Sequence, residues 1–261
     1  MNLQNSTILI TGGTSGIGLE FVKQLTQIGA TIIVTGRKAD ALNETKKRFP
    51  KVHTFQSDVS NPKDIEKLYH EVTQQFPGLN IIINNAGLMR LIDLQDQSPD
   101  LENITREVST NLSGTIQMVH QFLPHLLKQP AAGIVNVSSG IAFMSYSPAP
   151  IYSATKAGVR AYTQALRLQL QDTTVKVFEM IPPGVKTNLQ NDWDKQPNPA
   201  MMMTVDKMVK VAINGMLKDK KELKPFVIRI IKFASKIIPN VLLNFGHREF
   251  KQIKAQKNNT K

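Results

Sequence analysis

The sequence predicts an α/β fold, a doubly wound parallel sheet in one domain, followed by a basic helical extension at the C-terminus. Three observations carry that expectation: short apolar runs alternate with longer amphipathic ones from Ser6 onward, a glycine-rich turn joins the first apolar run to the first amphipathic segment, and positive charge concentrates beyond residue 206. Short apolar runs with few polar interruptions are how strands covered on both faces look, and parallel strands need helical crossovers between them.

Six strands are expected in order: TILITG (7–12), TIIVTG (31–36), VHTFQSD (52–58), LNIIINNAG (79–87), GIVNVSS (133–139) and VKVFEMIPP (175–183). Between the first two, Ile17, Phe21, Val22, Leu25 and Ile28 recur at helical spacing and the stripe stops at Gly29, so a helix packs there on the sheet. Pro62, just after Ser60, marks a capped helix start for 61–76, and Pro77-Gly78 ends it. Right-handed crossovers of this kind put helices on both faces of the sheet.

With 261 residues, 41% apolar and 20% charged, the chain can bury a core and is not a disordered polymer. Cysteine is absent, which excludes disulfides, thiolate metal ligands and thiol nucleophiles. No basic leader precedes a long apolar run, and no later stretch is long and uncharged enough to span a bilayer, so a cytoplasmic address is expected. The five histidines, at 53, 70, 120, 125 and 247, form no HxxxH pair and no cluster with acids at ligand spacing, so no metal is expected.

The net charge of +12 is uneven: residues 206–261 hold 14 Lys or Arg against 4 Asp or Glu, while the preceding 205 hold 18 against 16. A domain boundary is placed accordingly, with 1–221 as the main domain, a lid near 187–206, and 222–261 as the basic extension. Within it, 222–245 interleaves apolar residues with Arg229, Lys232 and Lys236 and is expected to form an amphipathic helix, whereas 251–261 is expected to be disordered. Three readings of the extension stay open: a helix completing the fold or a subunit contact, a peripheral membrane contact, and nucleic-acid binding. Sparse aromatics and the lack of any nucleic-acid motif disfavour the last.

Chemistry enters with TGGTSGIG (11–18). Glycines at 12, 13, 16 and 18 permit a tight strand-to-helix turn through Thr14, Ser15 and Ile17, whose backbone amides can approach a pyrophosphate at the positive end of the helix. The spacing is GxxxGxG, not the GxGxxG fingerprint of other dinucleotide folds. The second strand ends in Gly36, Arg37 and Lys38, with no acid to hold a ribose 2′-hydroxyl; a guanidinium there suits a 2′-phosphate, and NADP(H) is expected over NAD.

YSATK (152–156) sets Tyr152 and Lys156 on one face of a helix. A nearby ammonium, joined by the charge of an oxidised nicotinamide, is expected to favour the phenolate, so that the phenol exchanges a proton near neutrality. One of Ser138 and Ser139, at the end of the fifth strand, would donate a hydrogen bond to a substrate oxygen.

Taken together, TGxxxGIG, YxxxK and the serine pair resemble the short-chain dehydrogenase/reductase family over about residues 5–240, which implies a Rossmann-type fold and carbonyl reduction or alcohol oxidation with a nicotinamide. SDVSNP, INNAG and IPPGVKT are similar to a narrower group, the oxidoreductases encoded beside D-alanyl-lipoteichoic-acid genes in some Gram-positive bacteria. The family resemblance implies Ser139 as the catalytic serine and Asn111 as holder of a water leading to Lys156. It implies an adenine contact at Asp58 and Val59, a cofactor-side turn at Asn85, Ala86 and Gly87, and cofactor contacts from Pro182 and Thr187. It also implies a homodimer or homotetramer. In PPGVKT (182–187), Pro183 stands where the family has glycine. Leu88, Met89, Ile141, Phe143, Met144, Leu189, Trp193 and Met201–Met203 are the candidates for an apolar substrate pocket. A non-catalytic nucleotide sensor or membrane-surface protein on the same scaffold is the alternative.

Overall fold

The computed structural model describes residues 1–96, 98–190 and 202–259. Its sheet has seven parallel strands: β1 (Thr7–Thr11), β2 (Thr31–Gly36), β3 (His53–Gln56), β4 (Leu79–Asn84), β5 (Ala132–Val137), β6 (Val175–Met180) and β7 (Glu222–Leu223), in the order β3-β2-β1-β4-β5-β6-β7. The expected six are all present; β2 matches its expected range, and the other five end short of the turn residues that follow them.

Alternation along the strands builds two cores. Ile8 and Ile10 of β1 join Phe21, Val22 and Leu25 of α1 (Gly16–Gln27) and Met208 of α7 (Val205–Leu217) on one face. Leu9 points the other way, towards Ile65 of α3 (Pro62–Gln75), Phe122 of α5 (Gly114–Leu126) and Leu166 of α6 (Pro150–Gln169). Side chains of a strand alternate with period two, so a strand covered on both sides reads as continuously apolar. Two further helices are α2 (Ala39–Arg48) and α4 (Leu101–Glu107), the latter running into a wide π-helical turn, Val108–Ser113, before α5. Asn61, not Ser60, caps α3: its side chain accepts from the Lys63 amide at 3.1 Å, while the Ser60 hydroxyl donates to Asp58.

The strand order reverses at β1, which pairs with β2 on one side and β4 on the other. Chains leaving the carboxyl ends of β1 and β4 diverge to opposite faces, and the crevice between them is where ligands of such sheets sit.

The C-terminal segment departs from expectation. Glu222 and Leu223 extend the sheet beside β6, and 226–259 forms two helices, α8 (Phe226–Ile237) and α9 (Pro239–Asn259). Pro239 splits the expected single helix because its ring forces Ile238 out of the helical region, to φ −131°. Residues 251–259, expected to be disordered, continue α9.

Candidate active site

The glycine-rich loop sits at the carboxyl end of β1. Gly12 takes φ +63°, and a Cβ there would lie 2.9 Å from Ala86 Cα; one at Gly18 would lie 2.2 Å from the Gly12 carbonyl oxygen. Only hydrogen fits at either place. Asn85 braces the loop, its Nδ2 donating to the carbonyls of Thr11 (3.0 Å) and Gly12 (3.1 Å). First-turn amides of α1 have no intrahelical acceptor, the Ser15 side chain caps none of them, and no acid occupies that turn. The cradle therefore fits a pyrophosphate. Gly12, Thr14, Ser15, Gly16 and Ile17 all border a cavity of about 710 Å³, whereas Gly18 lies behind them, where its missing side chain lets α1 close on Gly12.

At one end of the cavity stand Arg37, Lys38, Asp58 and Val59. Arg37 is half exposed and touches Asp58 only loosely, Nη1 to Oδ2 at 4.0 Å, so its guanidinium is free to turn to another anion. Arg37 and Lys38 follow β2 directly, and the first acid after it, Asp40, lies in α2 and does not border the cavity.

At the other end, α6 places Tyr152 and Lys156 one turn apart, both buried. Tyr152 and Ser139 border the same cavity, and Ser139 favours the phenolate. Ser138 turns away and donates to Glu179 Oε1 at 2.7 Å, so Ser139 is the serine that faces the phenol. Lys156 Nζ donates to the Val137 carbonyl at 2.8 Å.

The expected acidification of the phenol is not found in the chain by itself. Burial pushes Tyr152 up to about 12, the Glu107 carboxylate adds to the rise, and only the neighbouring Ser139 opposes it. The same burial brings Lys156 down to about 8. Desolvation penalises phenolate and ammonium alike, and it leads the shift of each group here.

Asn111, in the π-helical turn, is used structurally. Its Oδ1 accepts from the Leu88 amide and its Nδ2 donates to the Leu88 carbonyl, both at 2.9 Å, and Nδ2 also reaches Thr155 Oγ1 at 3.2 Å. This clamp fixes the chain after β4, so that Ala86 and Gly87 border the cavity. Asn111 does not itself border it, yet a Cβ on Gly87 would touch both Asn111 Oδ1 (3.2 Å) and Lys156 Nζ (3.7 Å).

Pro182 gives its carbonyl to the Gly140 amide at 2.8 Å, and Gly184 accepts from the Met203 amide at 2.9 Å, so the loop accommodates Pro183 without disturbing Thr187, which packs against Gly16. Leu88, Met89, Ile141, Met144, Leu189 and Met202 border the substrate half of the cavity. Phe143 does not: the Arg160 guanidinium lies 4.3 Å over its ring and draws it outside that set. Trp193 and Met201 lie outside the described residues, and Met203 packs against the core.

Several residues escaped sequence reading. Glu107 is fully buried and accepts from the Arg90 amide (2.9 Å) and guanidinium (3.3 Å); burial still pushes its carboxyl up. Glu179, also fully buried, pairs with Arg160 at 2.7 Å, which reaches Glu222, itself bound by Lys232 of α8 at 2.7 Å. Ile231 and Glu249, from α8 and α9, border the cavity, and the Glu249 carboxylate adds to the burial that pushes the Tyr146 phenol up. These pairs join elements far apart in the chain, where spacing carries no signal.

The chain matches the short chain dehydrogenase family over residues 6–198. It is 39% identical over 224 residues to an uncharacterized oxidoreductase, DltE, of Bacillus subtilis (strain 168), covering 85% of this chain and 89% of that one. Sulfoacetaldehyde reductase 2 of Chromohalobacter salexigens is 33% identical over 184 residues, 69% of this chain and 73% of that protein. Among solved structures, a short-chain dehydrogenase/reductase of Burkholderia phymatum in complex with NAD aligns with a TM-score of 0.80 at 20% identity, covering 91% of this chain and 96% of that one. A short-chain dehydrogenase of Sphingobium yanoikuyae in complex with NADPH gives 0.77 at 24%, covering 83% and 86%.

Proposed function

Because the chain belongs to the short-chain dehydrogenase family, we propose that it is an NADP(H)-dependent oxidoreductase that moves a hydride between nicotinamide and the carbonyl or alcohol carbon of an apolar substrate. One observation carries the reading: Ser139, Tyr152 and Lys156 border a cavity continuous with the glycine-rich cradle.

The residues divide along that cavity. Amides of Gly12, Thr14, Ser15, Gly16 and Ile17 hold the pyrophosphate, with Gly18 allowing the approach of α1. Arg37 and Lys38 take the 2′-phosphate, Asp58 and Val59 the adenine, and Asn85, Ala86, Gly87, Pro182 and Thr187 the nicotinamide half. The bound dihydronicotinamide supplies the hydride. Ser139 donates to the substrate oxygen as charge builds there, Tyr152 delivers the proton, and Lys156, held by Val137, fixes the polarity around the phenol. A phenol raised to about 12 is protonated at neutral pH, the state needed to donate in the reductive direction. A relative named for reducing sulfoacetaldehyde supports carbonyl reduction in general; the lining here, with Met89, Ile141, Met144 and Leu189, favours a more apolar compound. Asn111 positions the Leu88 strand-end turn beside Lys156. Homodimer or homotetramer formation rests on the resemblance, and a cytoplasmic address remains the expectation from the sequence.

Titration of the protein with NADPH and NADH, followed by a panel of aldehydes and ketones monitored by loss of NADPH absorbance, tests the proposal. It expects NADPH to bind at least about tenfold more tightly than NADH and one or more apolar carbonyl compounds to be reduced. Failure to bind either nucleotide would overturn it.

A further inference from the structure

We infer that the outer face of α8 docks on an anionic lipid bilayer. This face is separate from the catalytic cavity, and the inference stands independently of the oxidoreductase reading.

At 100° per residue, Phe226, Ile230, Phe233 and Ile237 form one stripe of α8. They are exposed by 71%, 54%, 69% and 65% of their surface. The opposite face carries Ile228, fully buried against Gly140, and Ile231, which borders the cavity. The helix is thus already anchored to the body by one apolar side and presents a second, larger apolar side to water. Single exposed apolar residues are ordinary, but a contiguous stripe of this length marks a docking surface.

Charge chooses the occupant. Arg229 and Lys236 flank the stripe along one side, and among the described residues neither has a carboxylate partner. They belong to a C-terminal region, residues 206–261, with 14 basic and 4 acidic residues. A second copy of this chain seated face to face would bring these cations together. An anionic headgroup layer pairs with them while acyl chains receive the phenylalanines and isoleucines, the arrangement of interfacial helices. No helix among the described residues is long and apolar enough to cross a membrane, so α8 would lie in the interface plane.

The test is co-sedimentation of the full chain with vesicles of equimolar phosphatidylcholine and phosphatidylglycerol, and with phosphatidylcholine alone. The wild-type protein is expected to sediment with the mixed vesicles and to be released by salt. Joint substitution of Ile230→Glu and Phe233→Glu should weaken the association roughly a hundredfold, and joint substitution of Arg229→Gln and Lys236→Gln should weaken it on mixed vesicles only. Unchanged circular dichroism and thermal midpoint in the variants separate loss of docking from loss of fold. Wild-type protein that stays in the supernatant, or a double-glutamate variant that sediments like wild type, overturns the inference. So does a wild-type dimer that ignores vesicles and is dissociated by the double-glutamate substitution, which would make the face a protein contact. NADPH affinity, read on the same samples, reports on the oxidoreductase proposal alone.

Discussion

Lys156 Nζ lies 5.5 Å from the centre of the Tyr152 ring, one turn further along α6, and is bonded to the Val137 carbonyl at 2.8 Å. The ammonium therefore stands over the ring, and Ser139 borders the same cavity. Burial governs both groups, raising the phenol to about 12 and lowering the amine to about 8. In the chain by itself the pair is a protonated donor next to a cation that is costly to keep charged.

Replacing Lys156 by Met should stabilise the fold while removing activity. The lysine's depressed value means that, below about 8, the folded state must charge an amine it disfavours relative to the unfolded chain at 10.5. The gain in thermal midpoint, about 2–6 °C near neutrality, should shrink as pH rises from about 8 to 10.5, where wild type sheds that proton on folding. Thermal unfolding across that range checks the sign; a variant less stable than wild type at neutral pH would contradict it.

Arg37 decides the nucleotide. Arg37→Asp should weaken NADPH binding by about 10- to 100-fold, the scale of a lost charge-assisted pair, and leave NADH unchanged or improved. Calorimetric titration of both nucleotides provides the comparison. An equal loss for the two would show that Arg37 has no part in phosphate recognition.

Gly18→Ala introduces a carbon 2.2 Å from the Gly12 carbonyl oxygen, so the loop must shift. NADPH binding should fall below detection while the fold persists. Gly78→Ala, with nothing within 4 Å of the added carbon, serves as the control and should bind as wild type does.

Glu222 links the sheet edge to α8. Its burial would raise the carboxyl, but Lys224 and Lys232 outweigh that and bring it down to about 2. The stability it contributes is present above the unfolded value of 4.5 and is lost as pH falls from 4.5 towards about 2. Glu222→Gln should therefore lower the thermal midpoint at neutral pH and flatten its dependence on pH in that acid window. A midpoint equal to wild type at neutral pH would remove the role assigned to this carboxylate.

What the sequence shows of the fold follows from repetition. Ile8, Leu9 and Ile10 advertise a strand because both faces are covered, and the stripe from Ile17 to Ile28 advertises α1 because one face is. β7 is two residues long and carries no such pattern, so the sequence alone predicts helix at Glu222 and Leu223. The cradle and the Tyr152–Lys156 spacing were legible because each lies within one local segment. Glu107 with Arg90, Glu179 with Arg160, and Glu249 with Tyr146 were not, since their meeting depends on how distant elements pack. Phe143 looked like pocket lining by its position after β5, but a guanidinium from α6 claims its ring.

The central claim is that Tyr152 delivers the proton that accompanies hydride transfer. It is tested most directly by single-turnover reduction of an active carbonyl substrate by Tyr152→Phe, with NADPH affinity measured alongside. The account predicts a fall in rate of about 10²- to 10⁴-fold, with nucleotide binding essentially retained. Reduction by the phenylalanine variant at close to the wild-type rate would contradict it.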